Sequence, residues 1–317
     1  MHVKRRIRFA LAVLLLLPFA LAREAVASSA TPLLDYAQDM PLPEQPNGDS
    51  LSKRLASVQA EMQRHPPPPE SDCAHTLGAS RFAESYGDLG EARSATGDYP
   101  GAIDAFENAL SCSPRSAAIH SELAAELMHV NRLAEARTIA ERGIALDGDE
   151  RSLDTVLSQL DFIQERWANA VARLRTLAVT ETDGERATYW QCFLWLAQRR
   201  AGTQRPELPK HEEYTLWPAF ILDALQGHIS EQELLGVLRK EDDEHRRREL
   251  LAEALYYVGQ LRLANGDADT ARRYFAATVN LKVLYFIEHH MALAELARMR
   301  ADGAPAAAAT TASTRRP

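Results

Sequence analysis

Small, apolar and aromatic residues recur along this chain with a period of 34 residues. In a frame that begins at Ala83, the recurring positions hold Tyr86, Leu89, Gly90, Gly97, Tyr99, Ala102, Phe106, Ala109 and Pro114. The next frame, Ala117–Glu150, continues in the same register with Leu123, Ala124, Ala136, Ala140 and Gly143. The spacing within each frame is typical of two amphipathic helices joined by a turn. Such a unit cannot bury its apolar face alone, so consecutive units must stack on one another.

This period and these residue types resemble the tetratricopeptide repeat. The resemblance implies an all-α fold, namely a right-handed α-solenoid of helix–turn–helix units with a capping C-terminal helix. Small residues at frame positions 8 and 20 let the two helices of a unit approach closely, and bulky residues at positions 4, 7 and 24 fill the layer between units. We therefore expect the bulky residues at these positions to be packing residues and the solenoid surface to bind other proteins.

The register weakens and then breaks in the middle of the chain. A third frame, Arg151–Gly184, is degenerate because Ser158 and Asp161 depart from the repeat. A last good repeat starts at Ala252, and the helix Phe286–Arg300 is expected to cap the stack. The segment between the third frame and the last repeat is predicted to form three helices, at Ala187–Arg200, Leu216–Gln226 and Glu231–Lys240.

These patterns divide the chain into four segments: a signal peptide at 1–27, a flexible N-terminal segment at 28–70, the solenoid at 71–301 and a disordered tail at 302–317. The second segment opens with a flexible lead-in and then carries one amphipathic helix, Ser50–Arg64, with its apolar residues on one stripe. Four prolines, residues 66–69, follow as a stiff spacer. The stripe must be buried, either on the solenoid of the same chain or on a second subunit.

The first residues carry an export pattern. A basic segment is followed by the apolar stretch Phe9–Leu21 and by small-x-small motifs that end at Ala22 and Ala27. These are the parts of a secretory signal peptide, and we expect cleavage after Ala27 and a periplasmic mature protein. The alternative is an uncleaved membrane anchor, for which this apolar stretch is short.

Charge narrows the set of partners. The whole chain has a formal net charge of −8, and removal of residues 1–27 takes away five basic residues and one acidic residue, which leaves −12. A strongly acidic protein is repelled by nucleic acid and by anionic lipid. We therefore expect protein partners, no nucleic acid and no membrane surface.

The chain contains three cysteines, an odd number for an exported protein. Cys192 lies in an apolar, aromatic helix and is predicted to be an inert core thiol. Cys73 precedes the first repeat and Cys112 ends its second helix, so they form either a disulfide or two unrelated small residues, because sequence does not set the separation of their Cβ atoms. No cysteine follows the apolar stretch directly, so no direct lipid anchor is expected.

No motif indicates catalysis. Gly-rich phosphate loops, nucleophile elbows and paired-cysteine zinc spacings do not occur in the sequence. The run Glu288-His289-His290 has metal-ligand residue types, but adjacent residues on a helix point about 100° apart and no third ligand follows at i+4. His120 and His129 are nine residues apart on one helix, too far for one ion. We expect no enzyme activity, no metal and no cofactor.

A run of acidic residues, 241–244, followed by Arg246, Arg247 and Arg248 is the most conspicuous charge pattern. Opposite charges at helical i, i+4 spacing usually form a solvated face and stabilise a helix by a few tenths of a kcal/mol per pair. We interpret this run as such a face.

The groove formed by the first helix of each unit is the better candidate for a binding surface. Frame positions 2, 5, 9 and 12 line it in tetratricopeptide arrays, and with the neighbouring Asp88 they define these candidate partner-binding residues: Glu84, Gly87, Asp88, Glu91, Ser121, Met128, Thr155, Gln159 and Phe162. This groove is acidic at one end and small-to-apolar at the other. We expect it to prefer basic or neutral extended segments.

Several runs in the C-terminal half carry a more specific pattern: Trp217, Gly227–Leu234, Ala252–Gly259, Gly266–Ala271 and Phe286–Leu296. Together they resemble the NlpI-type periplasmic tetratricopeptide lipoproteins over residues 80–298. The resemblance implies an outer-membrane-linked, homodimeric adaptor that brings peptidoglycan (murein) hydrolases together and presents some of them to a periplasmic tail-specific protease. The lipid-bearing cysteine of that family is missing here.

The first hypothesis is therefore a non-catalytic periplasmic adaptor that binds cell-envelope enzymes. The alternative is a structural accessory subunit of an envelope assembly or secretion machine. A third interpretation is a hydrolase or an enzyme regulator whose site the sequence does not display.

Overall fold

Pairs of packed helices account for the 34-residue period. The computed structural model describes residues 31–41, 48–66, 70–75, 78–147, 151–208 and 216–303. Within these ranges there is no strand, and a short 3-10 helix at Glu70–His75 precedes the solenoid. The α-helices are α1 (Pro32–Asp39), α2 (Gly48–Arg64), α3 (Ala79–Ala95), α4 (Tyr99–Cys112), α5 (Ala117–His129), α6 (Leu133–Asp147), α7 (Arg151–Ile163), α8 (Trp167–Thr180), α9 (Gly184–Arg200), α10 (Trp217–Gln226), α11 (Glu231–Leu238), α12 (Glu244–Ala264), α13 (Ala268–Asn280) and α14 (Ile287–Gly303). The chain is an all-α tetratricopeptide-type solenoid, as predicted.

Some expectations concern other parts of the chain. The signal peptide, prolines 67–69 and the tail after residue 303 lie outside the described residues. In the parts that the structure describes, every helix is too short or too polar to cross a membrane.

Close contacts between frame positions 8 and 24 hold the helices of a repeat together. A Cβ atom added to Gly90 of α3 would lie 2.7 Å from the ring of Phe106 on α4. In the last repeat, a Cβ atom added to Gly259 of α12 would lie 2.9 Å from the ring of Phe275 on α13. Because a methyl group does not fit at either site, glycine is required for this packing. The predicted packing roles of these positions are confirmed.

The helices between the third frame and the last repeat form as predicted. Helix α9 is buried along most of its length, from Ala187 to Gln198, and packs against α8, α10 and α12. Helix α11 begins with a capping box in which Ser230 Oγ accepts from the Glu233 backbone N–H at 3.2 Å. The Glu233 carboxylate accepts from the Ser230 N–H at 2.7 Å. These bonds satisfy backbone donors that a helix N-terminus otherwise leaves free.

The first helix of the last repeat begins earlier than its apolar pattern indicates. Helix α12 starts at Glu244, and Asp243 caps it by accepting from the Arg246 backbone N–H at 2.8 Å. The arginine run therefore lies inside the first turns of α12. Only 9% of Arg248 is exposed, and Arg247 donates to the Glu241 carbonyl at 2.9 Å. The interpretation of this run as a solvated face therefore holds for the exposed residues 242–244 and is wrong for Arg248.

The N-terminal segment is more ordered than predicted. The residues expected to be a flexible lead-in contain α1, whose Leu33 and Leu34 are buried against the C-terminal half of the solenoid. The Leu33 backbone N–H donates to the Glu231 carboxylate at 3.1 Å, which satisfies a free donor at the start of α1. Helix α2 packs on α3 of the same chain, which is one of the two burial sites expected for its stripe.

The C-terminal helix returns to the N-terminal repeats. The His290 ring on α14 stacks on the His129 ring of α5, with 3.6 Å between centroids. Tyr99, at the start of α4, contacts the edge of His290 and donates to the Leu284 carbonyl at 3.4 Å. In an open array each repeat contacts only its neighbours. Here the turn before α14 and the helix itself link the last repeat to the first two.

Two of the three cysteines are joined. Cys73 and Cys112 form a disulfide with 4.5 Å between their Cα atoms, which ties the 3-10 helix to the end of α4. Both residues are buried with Ala83 in a small apolar cluster. Of the two alternatives that the sequence left open, the structure has the disulfide. Cys192 is a buried free thiol, as predicted.

Substitution of a small buried residue tests the repeat packing. Ala136 on α6 is completely buried at frame position 20, so Ala136→Leu must push neighbouring side chains off their rotamers. We expect a loss of about 1–3 kcal/mol in the free energy of unfolding, measured by urea denaturation. Ala145→Leu on the exposed face of the same helix is the matched control and should change stability by less than about 0.5 kcal/mol. Equal effects of the two variants would contradict the repeat frame.

Candidate functional site

The structure places the nine predicted groove residues in different environments. Glu84, Asp88 and Glu91 are exposed on α3, and Gly87, Thr155 and Gln159 are half-buried. The Glu91 carboxylate forms an ion pair with Arg54 of α2 at 2.8 Å. Helix α2 therefore occupies part of the acidic end of the groove, and the ion pair neutralises one of its three carboxylates.

Three of the predicted groove residues are buried, so their assignment to an open binding surface is wrong. Ser121 and Met128 are each 4% exposed and Phe162 is 1% exposed. Phe162 packs edge-on against Trp167 and against Phe193 of α9. Met128 belongs to the apolar cluster of α4–α7, and Ile287 of α14 packs against this cluster. The return of the C-terminal segment covers the end of α5 that an open solenoid would expose.

A cavity of about 480 Å³ lies between three first helices of the solenoid, α7, α9 and α12, and the start of α14. We call it the aromatic–acidic pocket and define it by Tyr189, Trp190, Phe193, Glu253, Tyr257 and Glu288. Gln159, one of the predicted groove residues, also lines it. Its volume lies within the range of roughly 300–1,000 Å³ that is common for ligand-binding cavities.

Two of the polar groups that line this pocket are buried carboxyl groups. Glu253 is 3% exposed, and its Oε2 accepts from the Tyr189 hydroxyl at 2.6 Å and from Trp217 Nε1 at 2.9 Å. Glu288 is 5% exposed, and its Oε1 accepts from the Tyr257 hydroxyl at 3.3 Å. Each carboxyl group thus makes its hydrogen bonds with other side chains through one oxygen. Among the described residues, neither carboxyl group has an ion-pair partner.

Burial changes the protonation of both groups. Burial raises the pKa of the Glu253 carboxyl well above its usual range, and the charge of Glu288 raises it further. Burial likewise raises the pKa of the Glu288 carboxyl, against the lowering effect of its hydrogen bonds. A buried carboxylate is unfavourable, so these two carboxyl groups take up protons more readily than exposed glutamates do.

Cationic side chains are present at the edge of the pocket but bind elsewhere. Arg246 Nη1 lies 3.0 Å from a Glu249 carboxylate oxygen, and Arg186 Nε lies 3.2 Å from Glu181 Oε2. Tyr285 is 44% exposed at the same edge and donates to Glu249. Arg246 and Arg186 therefore form their ion pairs with other glutamates, although the charge of Arg246 also lowers the pKa of the Glu253 carboxyl and offsets part of the effect of burial.

Sequence reasoning missed both acidic residues although signals for them exist. Glu253 occupies frame position 2 of the last repeat, the same position that selected Glu84 in the first. The predicted groove residues all belong to the first three frames. Glu288 was considered only as a metal ligand beside His289, because the pattern along one helix does not indicate that α14 faces α9 and α12.

The histidines have a structural role. His290 Nε2 lies 2.7 Å from the Leu284 carbonyl, and its other ring nitrogen is buried without a partner. Burial lowers the pKa of His289 to about 4 and that of His290 to about 2, with a smaller contribution from nearby His129. These rings are neutral at pH 7. In the described chain, no group of three or more His, Cys, Asp or Glu residues could hold a metal ion.

Comparison with known proteins agrees with the repeat assignment. Residues 94–160 match the model of the tetratricopeptide repeat family. Among solved structures, the chain is similar to the crystal structure of MamA protein, with 18% identity, 64% of this chain and 92% of that chain covered, and a TM-score of 0.37. It is also similar to Pseudomonas aeruginosa pilF, with 18% identity, 71% of this chain and 100% of that chain covered, and a TM-score of 0.40. A tetratricopeptide repeat protein from Parabacteroides merdae gives 13% identity, coverage of 83% and 97%, and a TM-score of 0.43. The repeat match and the solenoid fold indicate a protein-interaction scaffold.

The pH dependence of stability tests the protonation of the pocket. Because the folded-state pKa of Glu253 is raised, this residue stabilises the fold at low pH, and that contribution is lost as pH rises from the unfolded-state value of about 4.5 through the folded-state value. Glu253→Gln removes this titration. We expect the stability of the variant relative to wild type to increase between pH 5 and pH 9 by more than about 1.4 kcal/mol, the equivalent of a one-unit pKa shift.

The measurement is urea unfolding at a series of pH values. Exposed Glu107 on α4 supplies the control, Glu107→Gln, whose stability relative to wild type should not change across this range. A flat difference for Glu253→Gln as well would show that the buried carboxyl group ionises as easily as an exposed one.

Proposed function

We propose that this protein is a non-catalytic adaptor of the periplasm that binds cell-envelope enzymes. The observation that carries the proposal is the aromatic–acidic pocket on the face formed by the first helices of a tetratricopeptide-type solenoid. Aromatic side chains and buried charged groups are typical of the residues that contribute most to protein–protein binding.

Export is supported by two independent features. The N-terminal sequence has the basic segment, apolar stretch and small-residue motifs of a signal peptide. The Cys73–Cys112 disulfide is of the kind that persists in oxidising compartments. A mature protein that begins at Ser28 and is soluble in the periplasm accounts for both.

The choice of cell-envelope enzymes rests on charge and on the resemblance of the C-terminal runs. The chain is acidic, and the exposed face of α3 adds local negative charge. Basic murein hydrolases are complementary to such a surface, because opposite charges increase association rates and suppress wrong partners. The resemblance to NlpI-type adaptors adds a tail-specific protease as a second partner.

The proposal is tested with the full chain carrying a C-terminal affinity tag and expressed in its native host. Osmotic shock without detergent should release a protein that begins at Ser28. Affinity purification from this fraction, followed by mass spectrometry, should recover peptidoglycan hydrolases together with a periplasmic protease. Purified hydrolase, purified protease and this protein should then form one ternary complex in analytical ultracentrifugation, because an adaptor binds both partners at once.

Two results would contradict the proposal. Retention of residues 1–27 on a membrane-bound form would overturn the periplasmic location. Stoichiometric recovery of secretion or outer-membrane assembly subunits, without hydrolases, would favour the alternative of a structural accessory subunit.

A further inference from the structure

We propose that the aromatic–acidic pocket receives a single arginine side chain from a partner protein, with the guanidinium group between Glu253 and Glu288. This inference deepens the proposed function, since it specifies how the adaptor recognises a partner.

The free oxygens of the two carboxyl groups point to a cationic ligand. Oε2 of Glu253 accepts both of its hydrogen bonds, so Oε1 has no partner among the described residues. Glu288 accepts the Tyr257 hydroxyl through Oε1, which leaves Oε2 without a side-chain partner there. Both side chains are more than nine-tenths buried and both line the cavity. A bound cation would use these oxygens and offset the unfavourable burial of negative charge.

The walls favour a guanidinium group over a metal ion. Calcium needs six to eight oxygen ligands and magnesium needs octahedral geometry, whereas the carboxyl groups that line this pocket are the buried Glu253 and Glu288 and the half-buried Glu185. A guanidinium group is planar and weakly hydrated, stacks on aromatic faces and binds carboxylates through paired hydrogen bonds. Tyr189, Trp190 and Phe193 offer such faces beside Glu253. Arginine matches both parts of the lining.

The volume of the pocket and the charges at its edge restrict which residues can flank the arginine in the partner protein. The cavity of about 480 Å³ has room for more than one side chain, so apolar neighbours of the arginine can also be buried. Arg186 and Arg246 line the same cavity, and their positive charges disfavour further basic residues in the partner. The expected motif is an isolated arginine with apolar or neutral flanks. This motif is narrower than the basic or neutral extended segment that the groove residues predict.

Binding should become tighter as pH rises, because a proton and a guanidinium group compete for the same carboxyl groups. The titratable and charged groups that line the pocket are Glu185, Arg186 and Tyr189 from α9, Arg246, Glu253 and Tyr257 from α12, and Tyr285 and Glu288 at the start of α14. Burial raises the pKa of the tyrosines, which keeps them neutral over the range of interest. The two glutamates, whose pKa values burial also raises, are the lining groups that change charge as pH increases from 6 to 8.5.

The test uses isothermal titration of the mature protein with short acetylated peptide amides that differ only at a central residue flanked by leucine and serine. The central residue is arginine, lysine or citrulline, which has nearly the shape of arginine without its charge. We expect the arginine peptide to bind at least about tenfold more tightly than the citrulline peptide, with the lysine peptide in between. Intrinsic tryptophan fluorescence should change on binding, because Trp190 lines the pocket. The affinity of the arginine peptide should rise between pH 6 and pH 8.5.

Matched variants locate the site. Glu253→Gln/Glu288→Gln keeps the shape of the side chains and should weaken the arginine peptide at least about tenfold and remove the pH dependence. Glu107→Gln is the control and should bind like wild type. The single variants Glu253→Gln and Glu288→Gln are measured as well, and circular dichroism establishes that each variant is folded. If the double variant does not fold, the single variants still test the inference.

Several outcomes would overturn the inference. These are equal affinity for the arginine and citrulline peptides, no binding of the arginine peptide at 1 mM, and unchanged binding by folded pocket variants. Equal affinity for a free polyamine such as spermidine would assign the pocket to a small molecule instead of a protein side chain. If these tests fail while the pocket variants still form the hydrolase–protease complex, the adaptor function stands and only the recognition mode is wrong.

Discussion

The contact of the C-terminal helix with the N-terminal repeats is the constraint on which the rest of the structure depends. The His290 ring stacks on His129, and Leu284 accepts a hydrogen bond from Tyr99, so the two ends of the repeat array are in contact. Polar contacts strengthen the position of α14, because Arg200 of α9 binds the Glu295 carboxylate at 3.1 Å and Glu165 at 2.6 Å. Solenoids are usually stabilised by contacts between neighbouring repeats alone. Here a contact between distant repeats adds to them.

This contact between the two ends of the repeat array, which we call the closure, also affects where a ligand can bind. The C-terminal segment covers the end of α5, where an open array would expose a groove, and α2 occupies part of the surface of α3. The space between α7, α9, α12 and the start of α14 remains accessible. The start of α14 supplies Glu288 to this space. The packing of the C-terminal segment therefore covers the end of α5 and at the same time completes the aromatic–acidic pocket.

Sequence reasoning succeeds where the determinants of structure lie within one repeat. Gly90 and Phe106 are 16 positions apart in one frame, and their contact follows from the geometry of a single helix pair. The capping box at Ser230 is likewise local, because all of its atoms belong to one turn. These features could be predicted because the residues that make them recur with the repeat.

Prediction from the sequence fails where the burial of a residue depends on residues far away in the chain. Leu33 and Leu34 form too short an apolar pattern to indicate a packed helix, and they are buried because α11, α12 and α13 provide a surface for them. Met128 satisfies the rule for a groove position, yet it is buried in the apolar cluster of α4–α7. The carboxyl groups of Glu253 and Glu288 come together for the same reason, since their helices meet only in the folded chain. The set of residues that line the site therefore depends on long-range contacts, whereas the fold class follows from the pattern within each repeat.

A double-mutant cycle between α5 and α14 tests the closure most directly. His129→Ala, His290→Ala and the double variant are compared with wild type by urea unfolding at pH 7. Residues in contact usually show an interaction energy of about 0.5–3 kcal/mol, and we predict a value in this range because the two rings are stacked. Additive effects, within about 0.3 kcal/mol, would mean that α14 does not contact α5 in solution and that the repeat array is open.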